Sequence, residues 1–383
     1  TMGKGKDKLK SSALRSAWME ISLANILHNV KEIQKIAGKS KIIAMVKADA
    51  YGHGATEIST FLADNGIDYF AIATLKEGIE LRRAGLNKNI ILLSPVDNYY
   101  ADIIVENDFM PIVTSLDNAK ALSETAKSYG KVLSIMIALD TGMGRIGYLP
   151  NPEAIDEITK IAKLDDIHIK GLLSHLSSSP ETDKSYSYMQ LDKFKDFTEK
   201  LKSKGINPEI KTIANSGAIV SMRDMMLDAI RPGILIYGYF PEDTCTCDDL
   251  DLKPALSVKA NIIHMQRVKK GFCCSYGRKF VAKKDSIIGT IPVGYADGYP
   301  ANYSGNAKVI VNGKTAPIAG AICMDLCMID LTDIENSKVG DEVILLGSDG
   351  KNTITALDIE KGSGMFRYEI LTGFGQRLPK QFI

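Results

Sequence analysis

Lys47 stands at the end of the apolar run 42–46, where a strand buried on both faces would deliver it to the interior. A buried ammonium is costly unless it is paired, neutralised or bonded to something. An imine to a carbonyl cofactor is one solution, and it uses the lysine as an unprotonated nucleophile. Position alone fits a surface lysine at a strand end equally well. Similar residues follow later apolar runs: Asp140-Thr141-Gly142-Met143-Gly144-Arg145, Ser174-His175, Asn215-Ser216-Gly217 and Arg231-Pro232-Gly233-Ile234. A lysine, a histidine, arginines and Gly/Ser turns suit a phosphorylated carbonyl cofactor better than a sugar or a metal. Taken singly, His175 reads as a satisfied core histidine and Arg231 as a loop tie. Residues 142–147 spell GxGxxG, but the chain continues into Tyr148-Leu149-Pro150 instead of opening a helix, which argues against a dinucleotide.

These residues need a scaffold that gathers strand ends. Strands are expected at 42–48, 69–74, 90–94, 110–114, 132–139, 167–174, 209–214 and 229–236, with amphipathic helices at 25–36, 55–64, 76–85, 116–128, 152–163 and 187–203. Eight alternations indicate an α/β fold, a parallel (β/α)8 TIM-type barrel, whose active-site groups collect at the carboxyl ends of the strands. A doubly wound open sheet is the competing arrangement. Residues 241–253 are polar and turn-rich, a link to a mainly β C-terminal domain with strands near 256–267, 287–293, 307–311 and 342–347. An alternating strand at 18–23 precedes the barrel and could join it.

The 383 residues are 45% hydrophobic and 24% charged with net charge +1, which offers no footing for nucleic acid or an anionic membrane. No run approaches the length of a membrane span and no signal peptide is visible. Six cysteines without a CxxC pair, and five histidines, argue against a zinc site. The basic segment 1–16 reads as a mobile tail, and the start at Thr1 suggests a tag remnant or an excision point.

In order along residues 17–383, the motifs VKADAYGHG, LDTGMGRIG, ANS, RPGILIYG, CSYG, IPVGYADGY and ICMD resemble the alanine racemase family. The resemblance implies a pyridoxal 5'-phosphate barrel over 24–245 and a β domain of 17–23 plus 246–383, working as a homodimer. Lys47 would hold the cofactor and act as one base; Tyr276 would reach into the partner's site as the other. Two bases on opposite faces suit racemisation. His175 and Arg231 would tune that chemistry, with Arg231 at the pyridine nitrogen. Leu93 and Asn215 would line the cofactor, and Tyr51, Ser216, Tyr368 and the amides of Gly233 and Ile234 would hold its phosphate. Arg145 and the partner's Met324 would orient the substrate carboxylate, with Tyr295 and Asp325 on the substrate side. No metal enters this scheme.

The pattern departs at two positions. Many family members carry a lysine, often carbamylated, where this chain has Ala138, and an arginine where it has Ala321. The support around Arg145 is thereby altered; alanine stays the first expected substrate, with serine, or both, the alternative, as in racemase domains of vancomycin-resistance systems. The product would be a D-amino acid for cell-wall peptidoglycan. The location would be the cytoplasm, whether as a free enzyme or as the cytoplasmic domain of a membrane-attached protein. A barrel-type decarboxylase and a non-catalytic pyridoxal-phosphate carrier are the competing functions, and the CSYG segment argues against both.

Overall fold

The computed structural model describes residues 14–375 and 377–383. They divide into two compact units: residues 25–50 with 55–253, and residues 14–24 and 51–54 with 254–383.

The first unit is built on eight parallel strands. In chain order these are β2 (Lys41–Met45), β3 (Tyr69–Ile72), β4 (Asn89–Leu92), β5 (Phe109–Val113), β6 (Leu133–Ala138), β7 (Ile167–Leu173), β8 (Ile210–Thr212) and β9 (Ala229–Ile230); β1 (Ala17–Ile21) lies in the other unit. They are ordered 8-7-6-5-4-3-2-9, and an isolated parallel bridge between Asn215 and Arg231 joins the two edges. The Arg231 amide donates to the Ala214 carbonyl at 2.9 Å across that seam. Near-continuous Ile, Leu, Val and Met in β2, β5 and β6 is what a strand covered on both faces requires. Where β6 meets β7 the register shifts after Ile135, and a Cβ on Gly171 would lie 2.2 Å from Met136 Sδ. It would also lie 2.9 Å from the Ile210 carbonyl oxygen, a backbone atom that cannot swing aside, which favours glycine there.

Several of the helices start on side-chain caps. Helix α1 is Leu23–Ala37 and α2 is Ala55–Asp64. In α3 (Leu75–Arg83) Thr74 caps the Glu77 amide while Glu77 reaches back, a capping box. Helix α4 is Ala101–Glu106, and Ser115 caps α5 (Leu116–Ser128). Asn151 caps α6 (Pro152–Ile161), with Pro152 at its first turn. Helix α7 is Ser185–Ser203, and α8 (Ser216–Ser221) is capped by Asn215.

Two expectations are corrected. The first barrel strand stops at Met45, so Lys47 belongs to the turn beyond it. The run 229–236 is a strand only at Ala229–Ile230, and Ile234–Tyr237 is a buried 3-10 turn after Pro232, which has no amide hydrogen to donate. The alternating strand near the amino end, β1 (Ala17–Ile21), belongs to the second unit, antiparallel to β10 (Leu256–Asn261) and parallel to the last strand (Lys380–Phe382). Its alternating burial is that of a strand covered on one face only.

The second unit contains a sheet in which β10 also pairs with the strand Glu342–Ser348, and a three-stranded sheet of His264–Val268, Ser286–Ile291 and Cys327–Asp330. Of the expected tail, residues 1–13 lie outside the described residues, and Arg15 is anchored in this unit. Its guanidinium donates to both oxygens of the fully buried Asp297 carboxylate, at 2.6 and 2.7 Å, and to the Pro292 carbonyl. The expected link 241–253 packs with the barrel: Cys245 and Leu250 are buried, and Asn29 bonds both the amide and the carbonyl of Lys253. Among the described residues no helix is long and apolar enough to cross a membrane.

Candidate active site

Lys47 opens a turn of unusual hand. Ala48, Asp49, Ala50 and Tyr51 all have φ between 51° and 55°, and none is glycine. L-residues resist that region by about 1–2 kcal/mol each. The turn persists because its polar groups are met. The Ala48 amide donates to Glu77 Oε1 at 2.6 Å, the Ala50 amide to the Val46 carbonyl at 2.8 Å, and the Ala55 amide to Asp49 Oδ1 at 2.8 Å. His53 Nδ1 lies 2.9 Å from the Tyr51 carbonyl. Burial lowers the Lys47 ammonium below its ordinary range, and Arg145 and Arg231 lower it further, with Glu77 acting in the opposite direction. An amine held this way is closer to a nucleophile than a surface lysine is.

Arg231, 5% exposed, sits on the barrel seam. Its Nε donates to Thr212 Oγ1 at 3.3 Å, and its Nη2 to the carbonyls of Ser174 and Ile213. Nη1 lies 3.2 Å from His175 Nδ1. A guanidinium only donates, so Nδ1 is the acceptor and the imidazole is neutral with its proton on Nε2. Electrostatics agree: burial, Arg231, Arg145 and Lys47 push His175 down to about 3. Burial and Arg145 bring Arg231 itself down to about 10.

Arg145 therefore acts on Lys47, His175 and Arg231 alike, and the loop that carries it is held from behind. Burial alone would raise the Asp140 carboxyl, but the amides of Gly144, Gly142, Arg145 and Met143 outweigh it and hold the group low. Three of those bonds measure 2.9–3.0 Å. Tyr186 Oη donates to the Gly142 carbonyl at 2.8 Å. Gln190, fully buried on α7, donates to the His175 carbonyl and to Thr141 Oγ1 and accepts from the Ser177 amide and hydroxyl. Ala138 is a buried methyl at the end of β6. The loop is thus supported through its backbone and not through a charged side chain at 138.

The remaining barrel candidates also gather at strand ends. Ser216 is buried and its Oγ accepts from the Gly233 amide at 3.0 Å, so that amide has a partner within the protein. Ile234 follows, fully buried. Asn215 Oδ1 accepts from the Ala218 amide and from Ser179 Oγ, and its Nδ2 donates to the Leu176 carbonyl. Leu93 extends the β3–β4 pairing, with its amide on the Ile72 carbonyl at 2.9 Å.

In the second unit Tyr51 and Tyr368 lie with ring centroids 6.0 Å apart, Tyr368 stacks on Phe366 at 4.7 Å, and burial pushes Tyr51 up to about 12. Tyr276 follows Ser275, which has a positive φ of 67° and donates through Oγ to the Ala321 carbonyl at 2.7 Å. Tyr276 is 74% exposed, Met324 53% and Tyr295 45%. The Tyr295 amide donates to the Cys323 carbonyl and the Ala296 amide to the Met324 carbonyl, so these residues form one exposed patch. Asp325 accepts from Arg377 Nη2 at 2.8 Å, and Arg377 also lies 3.4 Å from Asp297. Arg15, Asp297 and Arg377 thus brace the patch, a feature the sequence did not announce. Glu77 was also missed, although Thr74-x-x-Glu77 is a readable capping-box pattern. Gln190 left no signal at all.

The barrel's donor set fits a phosphorylated aldehyde: a depressed lysine among cations, a buried arginine bonded to a neutral histidine, and hydroxyl and amide donors at loop ends. Comparison with known proteins gives matches over most of the chain. The family model for the alanine racemase N-terminal domain matches residues 21–241, and that for the C-terminal domain matches residues 255–382. "Alanine racemase 1" of Clostridium acetobutylicum is 44% identical over 370 residues, covering 97% of this chain and 96% of that protein. The alanine racemase of Clostridium novyi is 44% identical over 371 residues, with the same coverage. The solved alanine racemase of Clostridium difficile 630 superposes with a TM-score of 0.92 at 36% identity, covering 96% of each chain.

Proposed function

The chain belongs to the alanine racemase family, and on that premise we propose that it interconverts L- and D-alanine with pyridoxal 5'-phosphate held on Lys47. The observation that carries this reading is the state of Lys47: burial and two arginines disfavour its charge at the carboxyl end of the first barrel strand. Bound there, pyridoxal phosphate supplies an electron sink that acidifies the α-proton of the amino acid it carries.

The protein's own residues do the rest. Lys47, as a neutral amine, takes or returns the α-proton on one face. Arg145 offers a guanidinium to the substrate carboxylate, and the Asp140 bonds keep its loop in place. Arg231, already donating to His175 and Ser174, would meet the pyridine nitrogen as a donor and leave it without a proton. His175 stays neutral and adds no charge. Ser216 Oγ and the Ile234 amide are the barrel's donors to the phosphate, Leu93 and Asn215 line the cofactor's surroundings, and Tyr51 and Tyr368 keep the phosphate role that their motifs imply.

The opposite face needs a second acid–base group, and we assign it to the partner's Tyr276 in a homodimer with shared sites. The exposure of Tyr276, Met324 and Tyr295 supports this, since they form a bare apolar patch in an isolated chain. The patch also supports the partner's Met324 as a carboxylate ligand, and Tyr295 and Asp325 as residues on the substrate side. D-Alanine for peptidoglycan, made in the cytoplasm, belongs to the same proposal. The relatives' names favour alanine over serine. With pyridoxal phosphate present, L-alanine should lose its optical rotation much faster than L-serine does. No inversion of either amino acid would sink the proposal.

A further inference from the structure

Three features meet at the exit of β2. The turn after Lys47 runs through four consecutive left-handed residues without a glycine. Its first amide, that of Ala48, is bonded to a side chain from another strand exit, Glu77. The other Glu77 oxygen accepts from the amides of Ala73 and Thr74, at 2.8 and 3.0 Å, at the exit of β3. One carboxylate therefore ties two adjacent strand exits together, and three backbone amides converge on it. A half-buried acid committed in this way has more to do than cap α3, for which the Thr74 amide bond alone would suffice.

We propose that Glu77 is a positioning residue for Lys47: its carboxylate holds the left-handed turn that aims the lysine amine into the barrel mouth. The proposal rests on Lys47 being the cofactor lysine. Without the Glu77 tie, the Ala48 amide loses its partner and the turn can relax toward the ordinary right-handed region, rotating the Cα–Cβ bond of a residue that must meet a carbonyl carbon. Glu77 is also the acid that opposes Arg145 and Arg231 at Lys47, so its removal carries an electrostatic signature as well as a geometric one.

The test uses Glu77→Gln, which keeps the side chain's size but offers one acceptor oxygen where two are used. The control is Thr74→Ala, which removes the hydroxyl cap of the same helix and leaves the Glu77 bonds in place. Borohydride reduction of the wild-type holoenzyme followed by peptide mapping settles the premise separately: a label on any residue but Lys47 defeats the cofactor-lysine reading, whatever Glu77 does. Next come the dissociation constant of pyridoxal phosphate, the pH dependence of its attachment rate, and kcat and KM for alanine. Glu77→Gln should weaken cofactor binding about tenfold or more and lower kcat about ten- to a hundredfold, with KM changed far less. Its attachment rate should reach half-plateau at lower pH than in the wild type, because the arginines act unopposed. Thr74→Ala should match the wild type in each. Wild-type affinity and pH midpoint in Glu77→Gln would overturn the proposal. So would equal losses in Thr74→Ala, which would make Glu77 merely part of a helix cap.

Discussion

At the scale of single residues, the pair Arg231–His175 makes the most definite claim about charge. A histidine that accepts from a guanidinium cannot be protonated on that nitrogen, and burial with Arg231, Arg145 and Lys47 holds its folded value at about 3 against an ordinary 6.5. Between those values the unfolded chain binds a proton that the folded chain refuses. The contribution to stability is therefore fully present above about pH 6.5 and is lost as pH falls toward 3. Glutamine keeps an acceptor for Arg231 but cannot titrate. Lowering the pH from about 7.5 to about 5 should therefore reduce the melting temperature of the wild type more than that of His175→Gln. Equal decrements would show that the imidazole is not held neutral. Lys47, Arg231 and His175 could be picked out of the sequence because each ends or follows an apolar run, but their mutual charges could not. Those depend on the seam between β8 and β9, which brings residues 175 and 231 within bonding distance.

At the scale of elements, the barrel was readable where a strand is covered on both faces. The runs 42–46 and 135–139 contain no polar residue, and Ser115 and Asn151 announce their helices. The run 229–236 was not readable correctly. A buried 3-10 turn and a buried strand share the same composition, and periodicity does not separate them. The turn after Lys47 was hidden for the opposite reason, since no glycine at 48–51 marks its left-handed backbone. Support of the Arg145 loop was invisible too, because Gln190 lies on α7, far along the chain from Thr141. Gln190→Leu leaves the Ser177 amide and the His175 carbonyl without this partner and loosens the loops after β6 and β7. Denaturant melts should show about 1–3 kcal/mol lost per unsatisfied group. KM for alanine should rise as well, because Arg145 is carried by the loosened loop. A variant that is destabilised but has an unchanged KM would confine Gln190 to packing.

At the scale of the whole molecule, the two-unit division was legible from the change of rhythm near residue 240, although the segment up to Lys253 stays with the barrel. The destination of β1 was also written in its alternation, which marks one-sided cover. What one chain's sequence cannot express is which copy uses its Tyr276. The side chain is 74% exposed, next to Met324 and Tyr295, on a unit that also supplies the exposed apolar residues Phe272 and Leu326. If the partner's Tyr276 completes the Lys47 site, the two residues act in different chains, and each dimer holds two composite sites. Lys47→Ala homodimers and Tyr276→Phe homodimers should each lose racemisation, because every site then lacks one base. A heterodimer of the two variants has one site with both defects and one with neither. Random mixing makes half of the dimers heterodimers, each with one intact site in two, so a co-expressed mixture should recover about a quarter of wild-type activity. Cofactor content and activity of co-purified, differently tagged chains measure this directly. If both bases came from one chain, every site in every mixture would carry one defect and no activity would return.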